Sequence, residues 1–277
     1  MTSSLFPDSS EFIKRDTRKT RWAIPYHSEC LNARTHVLLG QNGDSLDGKS
    51  VFDAASHIGT LSYAALQLGA NHVRGVDSEA RTITTANELF EHHGITKDRY
   101  RFEVGDVLEF LEEAGPNAFD TVLCFGMLYY TAEPYRLLKL MCRAARNCVL
   151  IDTFTAKYAA LTGKDAAHIL PNVTDETWQL PTLITTLTQS AKKDYTLPES
   201  FPYKDNPVSL TAFPTESLLE LWFDSLGGTY RKLDWSAYKT RDCSWRDLMT
   251  PDQKKSSHWA DVYTAGVRVA YRLDLKS

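Results

Sequence analysis

Ser50-Val51-Phe52-Asp53-Ala54-Ala55-Ser56-His57-Ile58-Gly59 begins as a short apolar run and closes as a turn of small residues. Ser50 to Ala54 has the length and composition of a buried strand. The next stretch, Gly59 to Leu68, places Leu61, Ala64, Ala65 and Leu68 on one helical face, and Gly69 stops it. Working outward, the same alternation repeats: a strand from His72 to Asp77, a helix from Glu79 to His92 ending at Gly94, and a strand from Tyr100 to Val104. Phe119 to Phe125 is an apolar fourth strand, Pro134 to Ala145 a helix with proline in its first turn, and Cys148 to Asp152 a fifth strand. Strands alternating with helices of this length predict βαβ units and a doubly wound α/β sheet.

Beyond Phe154 the rhythm breaks. Pro171, Pro181, Pro198, Pro202 and Pro207 interrupt short helical pieces, and 155–207 reads as an insertion capping the site. Order returns at 208–277, with Thr215 as N-cap of a helix through Leu226 that Gly227-Gly228 ends. Two strands follow, Thr229 to Trp235 and Val262 to Arg272. Residues 1–47 are mostly irregular, with one helix from Ser28 to Leu39, and form a candidate lid; 48–154 and 208–277 form the main domain.

The 277 residues carry a net charge of −4, so no general basic field attracts phosphate backbones, and nucleic acid is disfavoured as a partner. Met1 to Ser10 is polar, and no apolar run approaches the roughly 20 residues that span a bilayer, which reads as a cytoplasmic chain without membrane contact. Cys30, Cys124, Cys142, Cys148 and Cys243 are scattered and form no C-x-x-C pair, so neither a disulfide framework nor a zinc knuckle is expected. Glu91-His92-His93 sits at an exposed helix end without further ligands, and no metal is expected there.

In an open parallel sheet, ligands bind beyond the carboxyl ends of the strands where their order reverses. Four strand ends carry candidate residues. The first offers Asp53, Ala54, Ala55, Ser56, His57 and Gly59, a turn that brings backbone N–H groups to a helix start. The second ends in Asp77-Ser78, whose carboxylate suits the hydroxyls of a ribose. The third ends in Gly105-Asp106-Val107, suited to accept from an adenine amino group and to pack on its ring. The fourth ends in Phe125-Gly126 and runs on to Tyr129-Tyr130, bringing aromatic groups to the cleft centre.

Together these residues resemble the class I S-adenosylmethionine-dependent methyltransferase family. Its first motif ordinarily runs acidic-x-Gly-x-Gly-x-Gly; Asp53 and Gly59 match, while Ala55 and His57 replace the first two glycines. Asp77, Gly105-Asp106 and the strand running on to Tyr129-Tyr130 fall at the family's other positions. The likeness covers Gly48 to Phe154 and Phe213 to Arg272, and it is local to the tRNA wobble-uridine carboxymethyl transferase branch along Gly59 to Asp77 and Phe119 to Tyr130. The resemblance implies a Rossmann-like doubly wound seven-stranded sheet, mostly parallel with an antiparallel last strand, plus an inserted helical and looped lid. It implies S-adenosylmethionine as cofactor and S-adenosylhomocysteine as product, with transfer to an N or O atom of an amino-acid-like or aromatic small molecule. A tRNA acceptor and a non-catalytic binding module are the alternatives, in a monomer or homodimer.

An acid after the second strand also suits nicotinamide dinucleotides, but a G-x-G-x-x-G turn and a Tyr-x-x-x-Lys pair are both missing. Candidate catalytic residues are His57, Tyr130 and His168. His57 either meets the donor carboxylate, serves as a base, or packs on the N-terminal segment; His168 is either a loop residue or a base. Trp22, Tyr26, Tyr129, Trp178 and Tyr203 are candidate acceptor contacts, with core packing as the competing reading for Tyr129, Tyr130, Trp178 and Tyr203.

Overall fold

The computed structural model describes residues 4–16, 27–162, 173–189, 191–192, 195–196, 199–248 and 258–276. The central sheet contains β1 (Ser50–Ala54), β2 (His72–Asp77), β3 (Tyr100–Val104), β4 (Phe119–Phe125) and β5 (Ala145–Phe154), all parallel. Four further strands belong to the inserted region: β6 (Leu183–Gln189), β7 (Ala191–Lys192), β8 (Tyr195–Thr196) and β9 (Phe201–Tyr203). The long β10 (Asn206–Pro214) returns from that region, and β11 (Thr229–Lys232) and β12 (Arg268–Asp274) complete the central sheet. Its order is β11-β12-β5-β4-β1-β2-β3, with β12 antiparallel to both neighbours. The strand order reverses between β1 and β4, which places the crevice beyond their carboxyl ends.

Burial follows the period-2 alternation of strands that are covered on both faces. Val51, Val73, Leu123, Leu150 and Ala270 face α1 (Glu11–Arg15), α2 (Ser28–Leu38), α3 (Thr60–Gln67) and α4 (Ala80–His92). Phe52, Val76, Val122, Val149, Ile151 and Tyr271 face α5 (Val107–Glu113), α6 (Pro134–Ala144) and, past α7 (Ala156–Thr162), α8 (Glu216–Ser225). Thr215 caps α8 by accepting from the Leu218 N–H at 3.3 Å, as its position in the sequence predicts.

Four expectations need correction. The last strand begins at Arg268, not Val262: Trp259–Thr264 is a short helix, α9, because the His258 side chain accepts from Ala260 N–H and the Asp261 carboxylate accepts from His258 N–H. That reciprocal cap, closed by Gly266 at φ +70°, overrides the β-branched content of the run. The preceding strand likewise stops at Lys232 rather than Trp235. The insertion, expected to be helical and looped, contributes an antiparallel sheet in the order β6-β10-β9. Leu183-Ile184-Thr185-Thr186-Leu187-Thr188 is rich in β-branched residues, which is strand content that the surrounding prolines obscure. β10 crosses residue 207, so the expected insertion boundary falls inside a strand.

Candidate functional site

The loop after β1 follows the path of a glycine-rich turn with only the last of its three glycines. Ala55, His57 and Gly59 take φ values of +59°, +51° and +73°, three left-handed residues at alternate positions. Left-handed φ costs a non-glycine residue about 1–2 kcal/mol, so the surrounding contacts impose this path. Gly59 is itself required for packing: a Cβ there would stand 2.9 Å from both Phe102 Cζ and Phe90 Cε2.

Asp77 at the end of β2 locks this loop in place. Its Oδ2 accepts from His57 N–H at 2.9 Å, while Oδ1 accepts from Glu79 N–H at 2.9 Å and Thr82 Oγ1 at 3.2 Å. Three of roughly four lone-pair sites are therefore used within the chain. Burial raises its carboxyl pKa, although the Glu79 and His57 N–H groups oppose the rise. Asp53 is buried and accepts from Ser62 Oγ at 2.5 Å, so it faces the start of α3. Asp106 caps α5 through Oδ1, which accepts from Leu108 N–H at 2.7 Å and Glu109 N–H at 3.1 Å. Ala54 and Val107 are buried in the core, Ser78 and Gly105 are half-buried beside the two acids, and Gly105 N–H donates to the Asp77 carbonyl at 3.1 Å.

Phe125 and Gly126 lie at the end of β4. Gly126 has φ +87°, and a Cβ there would stand 3.2 Å from Arg268 Nη2 and 3.5 Å from the Tyr129 hydroxyl. Two hydrogen-bond donors thus converge beneath the crevice floor. Tyr129 is buried against Tyr130, Phe154 and Phe213 at centroid distances of 4.5, 5.0 and 5.7 Å, and Tyr158 stacks on Phe154 at 4.1 Å. Burial pushes the Tyr129 phenol well above its ordinary value and Tyr158 up to about 12, so both keep their protons near neutrality. Trp178 joins the same apolar cluster and meets Trp245 edge-on at 5.4 Å. Tyr203 is exposed on β9 and is not brought to this group. Trp22, Tyr26 and His168 lie outside the described residues.

The sequence reading missed a buried charge cluster at the end of β5. Asp152 is fully buried; Arg268 grips it through Nε and Nη2 at 2.6 Å each, Arg34 reaches it at 2.8 Å and the Tyr263 hydroxyl donates at 3.0 Å. Burial favours its protonated form, but the guanidinium of Arg268, then that of Arg34, holds the carboxyl below its ordinary value. The signal was an acid closing the apolar run Cys148-Val149-Leu150-Ile151, since a buried carboxylate requires a cation.

A family model described as a methyltransferase domain matches residues 45–194, more than half of the chain. The chain belongs to the methyltransferase-domain family. Its relatives include the ubiquinone biosynthesis O-methyltransferase of Actinobacillus pleuropneumoniae serotype 7 (strain AP76), 27% identical over 141 residues, 50% of this chain and 59% of the relative. They also include the tRNA U34 carboxymethyltransferase of Campylobacter curvus (strain 525.92), 27% identical over 135 residues, 47% of this chain and 43% of the relative. The matches thus span less than two thirds of either relative. Among solved structures, a putative S-adenosylmethionine dependent methyltransferase from Listeria monocytogenes aligns with a TM-score of 0.55 at 14% identity, over 90% of this chain and 100% of that one. The N-terminal domain of EvdMO1, solved with S-adenosylhomocysteine bound, gives 0.53 at 14% identity over 89% and 81%. At this identity the likeness shows the Rossmann-like fold.

The cofactor of this methyltransferase family is S-adenosylmethionine, and the residues present fit it. Ser56 Oγ, in the β1 loop, and Thr60 Oγ1, in the first turn of α3, are buried and have no partner among the described residues. A buried polar group without a partner costs about 1–3 kcal/mol, and both sit at the junction of the β1 loop and α3. Asp106 uses only Oδ1 for its cap. Among the described residues no cluster of His, Cys, Asp and Glu is arranged to hold a metal, and no helix is long and apolar enough to cross a membrane.

Proposed function

We propose that this methyltransferase domain transfers a methyl group from S-adenosylmethionine to an N or O atom of a small, planar or aromatic acceptor. The observation that carries the reading is the β1 loop, which keeps three left-handed residues around a half-buried Asp77 although two of the three are not glycine. Strain of this kind persists where a site demands the backbone path. In this reading Asp77 holds the ribose with its remaining lone pair, Asp106 Oδ2 accepts from the adenine, and the Ser56 and Thr60 hydroxyls face the methionine end. Asp53 orders the start of α3 through Ser62.

The cofactor supplies an electrophilic methyl on a sulfonium centre, so the protein's task is alignment and exclusion of water. Tyr129, Phe154 and Phe213 form a buried aromatic layer between the carboxyl ends of β4 and β5 and the inserted sheet, and the half-buried Tyr130 and Tyr158 that pack on it are apt for stacking a planar acceptor. Tyr129, held protonated, orients by donating a hydrogen bond and does not act as base. His57, Tyr130 and His168 are the candidates for removing a proton when the acceptor carries one. An aromatic wall with a net charge of −4 supports a small acceptor over a nucleic acid in this cytoplasmic reading.

One observation favours a second reading, a carboxymethyl donor. The convergence of Arg268 Nη2 and the Tyr129 hydroxyl beneath Gly126 would receive a carboxylate on the transferred carbon. Mass spectrometry of the ligand that copurifies with the protein separates the two. S-adenosylmethionine or S-adenosylhomocysteine, with acceptors gaining one methylene of mass in a metabolite screen, supports methyl transfer; a ligand heavier by one carbon dioxide supports the second reading; a nicotinamide dinucleotide sinks both.

A further inference from the structure

The three-stranded sheet of the inserted region has two edges that are built differently. β9 is three residues long and carries Pro202, which interrupts pairing on that side. β6 is seven residues long and contains no proline, no lysine and no charge of either sign. Among the described residues its outer edge has no backbone partner, since β10 alone pairs with it. The alternation of β6 turns Leu183, Thr185 and Leu187 to one side, where the two leucines are 38% and 49% exposed. Phe201 and Tyr203 on β9, opposite Val208 and Asn206 of β10, add rings that are 40% and 46% exposed on that same face.

A long, uncharged edge strand is a template for another strand, and folded proteins ordinarily blunt such an edge with charge, proline or a bulge. We infer that the edge of β6 is covered by β6 of a second copy of this chain, antiparallel about a two-fold axis near Thr186, giving a continuous six-stranded sheet. Charge decides between occupants. A basic or acidic partner strand would find no complement from Leu183 to Gln189, whereas the strand meets its own image without like charges opposed. The two-fold arrangement also closes on itself, because the proline-bearing β9 edge lies at each end of the joined sheet and stops further growth. The exposed leucines of both copies then share one apolar strip.

The experiment is sedimentation velocity on the full chain over a range of concentrations, together with Leu187→Lys and Leu187→Glu. The wild-type chain is expected to sediment at twice the monomer mass. Each variant is expected to sediment as a monomer with unchanged circular dichroism and unchanged S-adenosylhomocysteine affinity, and mixing the two variants restores the dimer. Should a Leu187 variant unfold, Leu183→Lys at the start of the strand reads the same contact. A wild-type chain that stays monomeric at every concentration overturns the inference. So does a dimer that survives both the Leu183 and the Leu187 charges, or one formed only with a different polypeptide on this edge.

Discussion

Asp77 does two jobs with one carboxylate. It fixes the His57 backbone and the start of α4, and in the proposed function it is also the acid that meets a ribose. Its replacement therefore separates in a graded way. Asp77→Ala is expected to weaken S-adenosylhomocysteine binding by about tenfold or more, the size of a charge-assisted hydrogen bond, while Asp77→Asn retains part of the affinity because one oxygen still accepts. Isothermal titration measures both, and unchanged affinity in the alanine variant removes the ribose assignment. At Ala55 the left-handed backbone disfavours a Cβ, and glycine would relieve it at some expense in chain entropy. Ala55→Gly is accordingly expected to raise stability by about 0.5–1 kcal/mol in urea unfolding, and a loss of that size would show that the loop is not strained. The acids Asp53, Asp77 and Asp106 were legible because each ends a recognisable strand. The left-handed loop was not, since alanine and histidine in a sequence give no sign of positive φ.

Single elements carry their own consequences. The short α1 docks through Phe12, which lies 4.8 Å from Tyr63 and stacks on His93 at 5.2 Å. Phe12→Ala is expected to cost about 3–5 kcal/mol by emptying a buried position, read from the shift in urea midpoint. Burial, then the neighbouring His92, lowers the His93 pKa below 6.5. The unfolded chain thus takes its proton at higher pH than the folded one. Stability from this contact is complete above 6.5 and falls as pH drops through the folded value; a Phe12→Ala chain should lose much of that slope. On the opposite side, Phe213 of β10 stacks on Tyr129, so Phe213→Ala is expected to raise the KM of the acceptor while leaving S-adenosylhomocysteine affinity unchanged. Equal losses in both would place Phe213 in the scaffold alone. The parallel strands β1 to β5 were readable because buried strands are near-continuous apolar runs. The insertion was not, because prolines at 181, 202 and 207 mimic broken helix, and α9 was misread because its capping box outweighs local β propensity.

Across the whole molecule, Asp152 joins parts that are far apart in the chain: α2 through Arg34, α9 through Tyr263 and β12 through Arg268. Removing one partner of such a buried pair costs about 3–5 kcal/mol because the remaining charge is left uncompensated. Arg268→Ala is therefore expected to be the most destabilising substitution at the site, with the urea midpoint falling accordingly. Because the Asp152 pKa is lowered on folding, its contribution is complete above the ordinary carboxyl value of 3.8 and disappears as pH falls through the folded value. Acid unfolding that begins below about pH 4 in the wild type and earlier in Arg268→Lys would report it. The same carboxylate bears on how the protein is made. Its partners are 118 residues earlier and 116 residues later in the chain, so a nascent polypeptide still threaded through the ribosome at Gly266 holds an acid in its core with half its cations undelivered. The core around Asp152 is thus completed only once β12 has emerged, and a chain stalled before that moment is a natural client for chaperones.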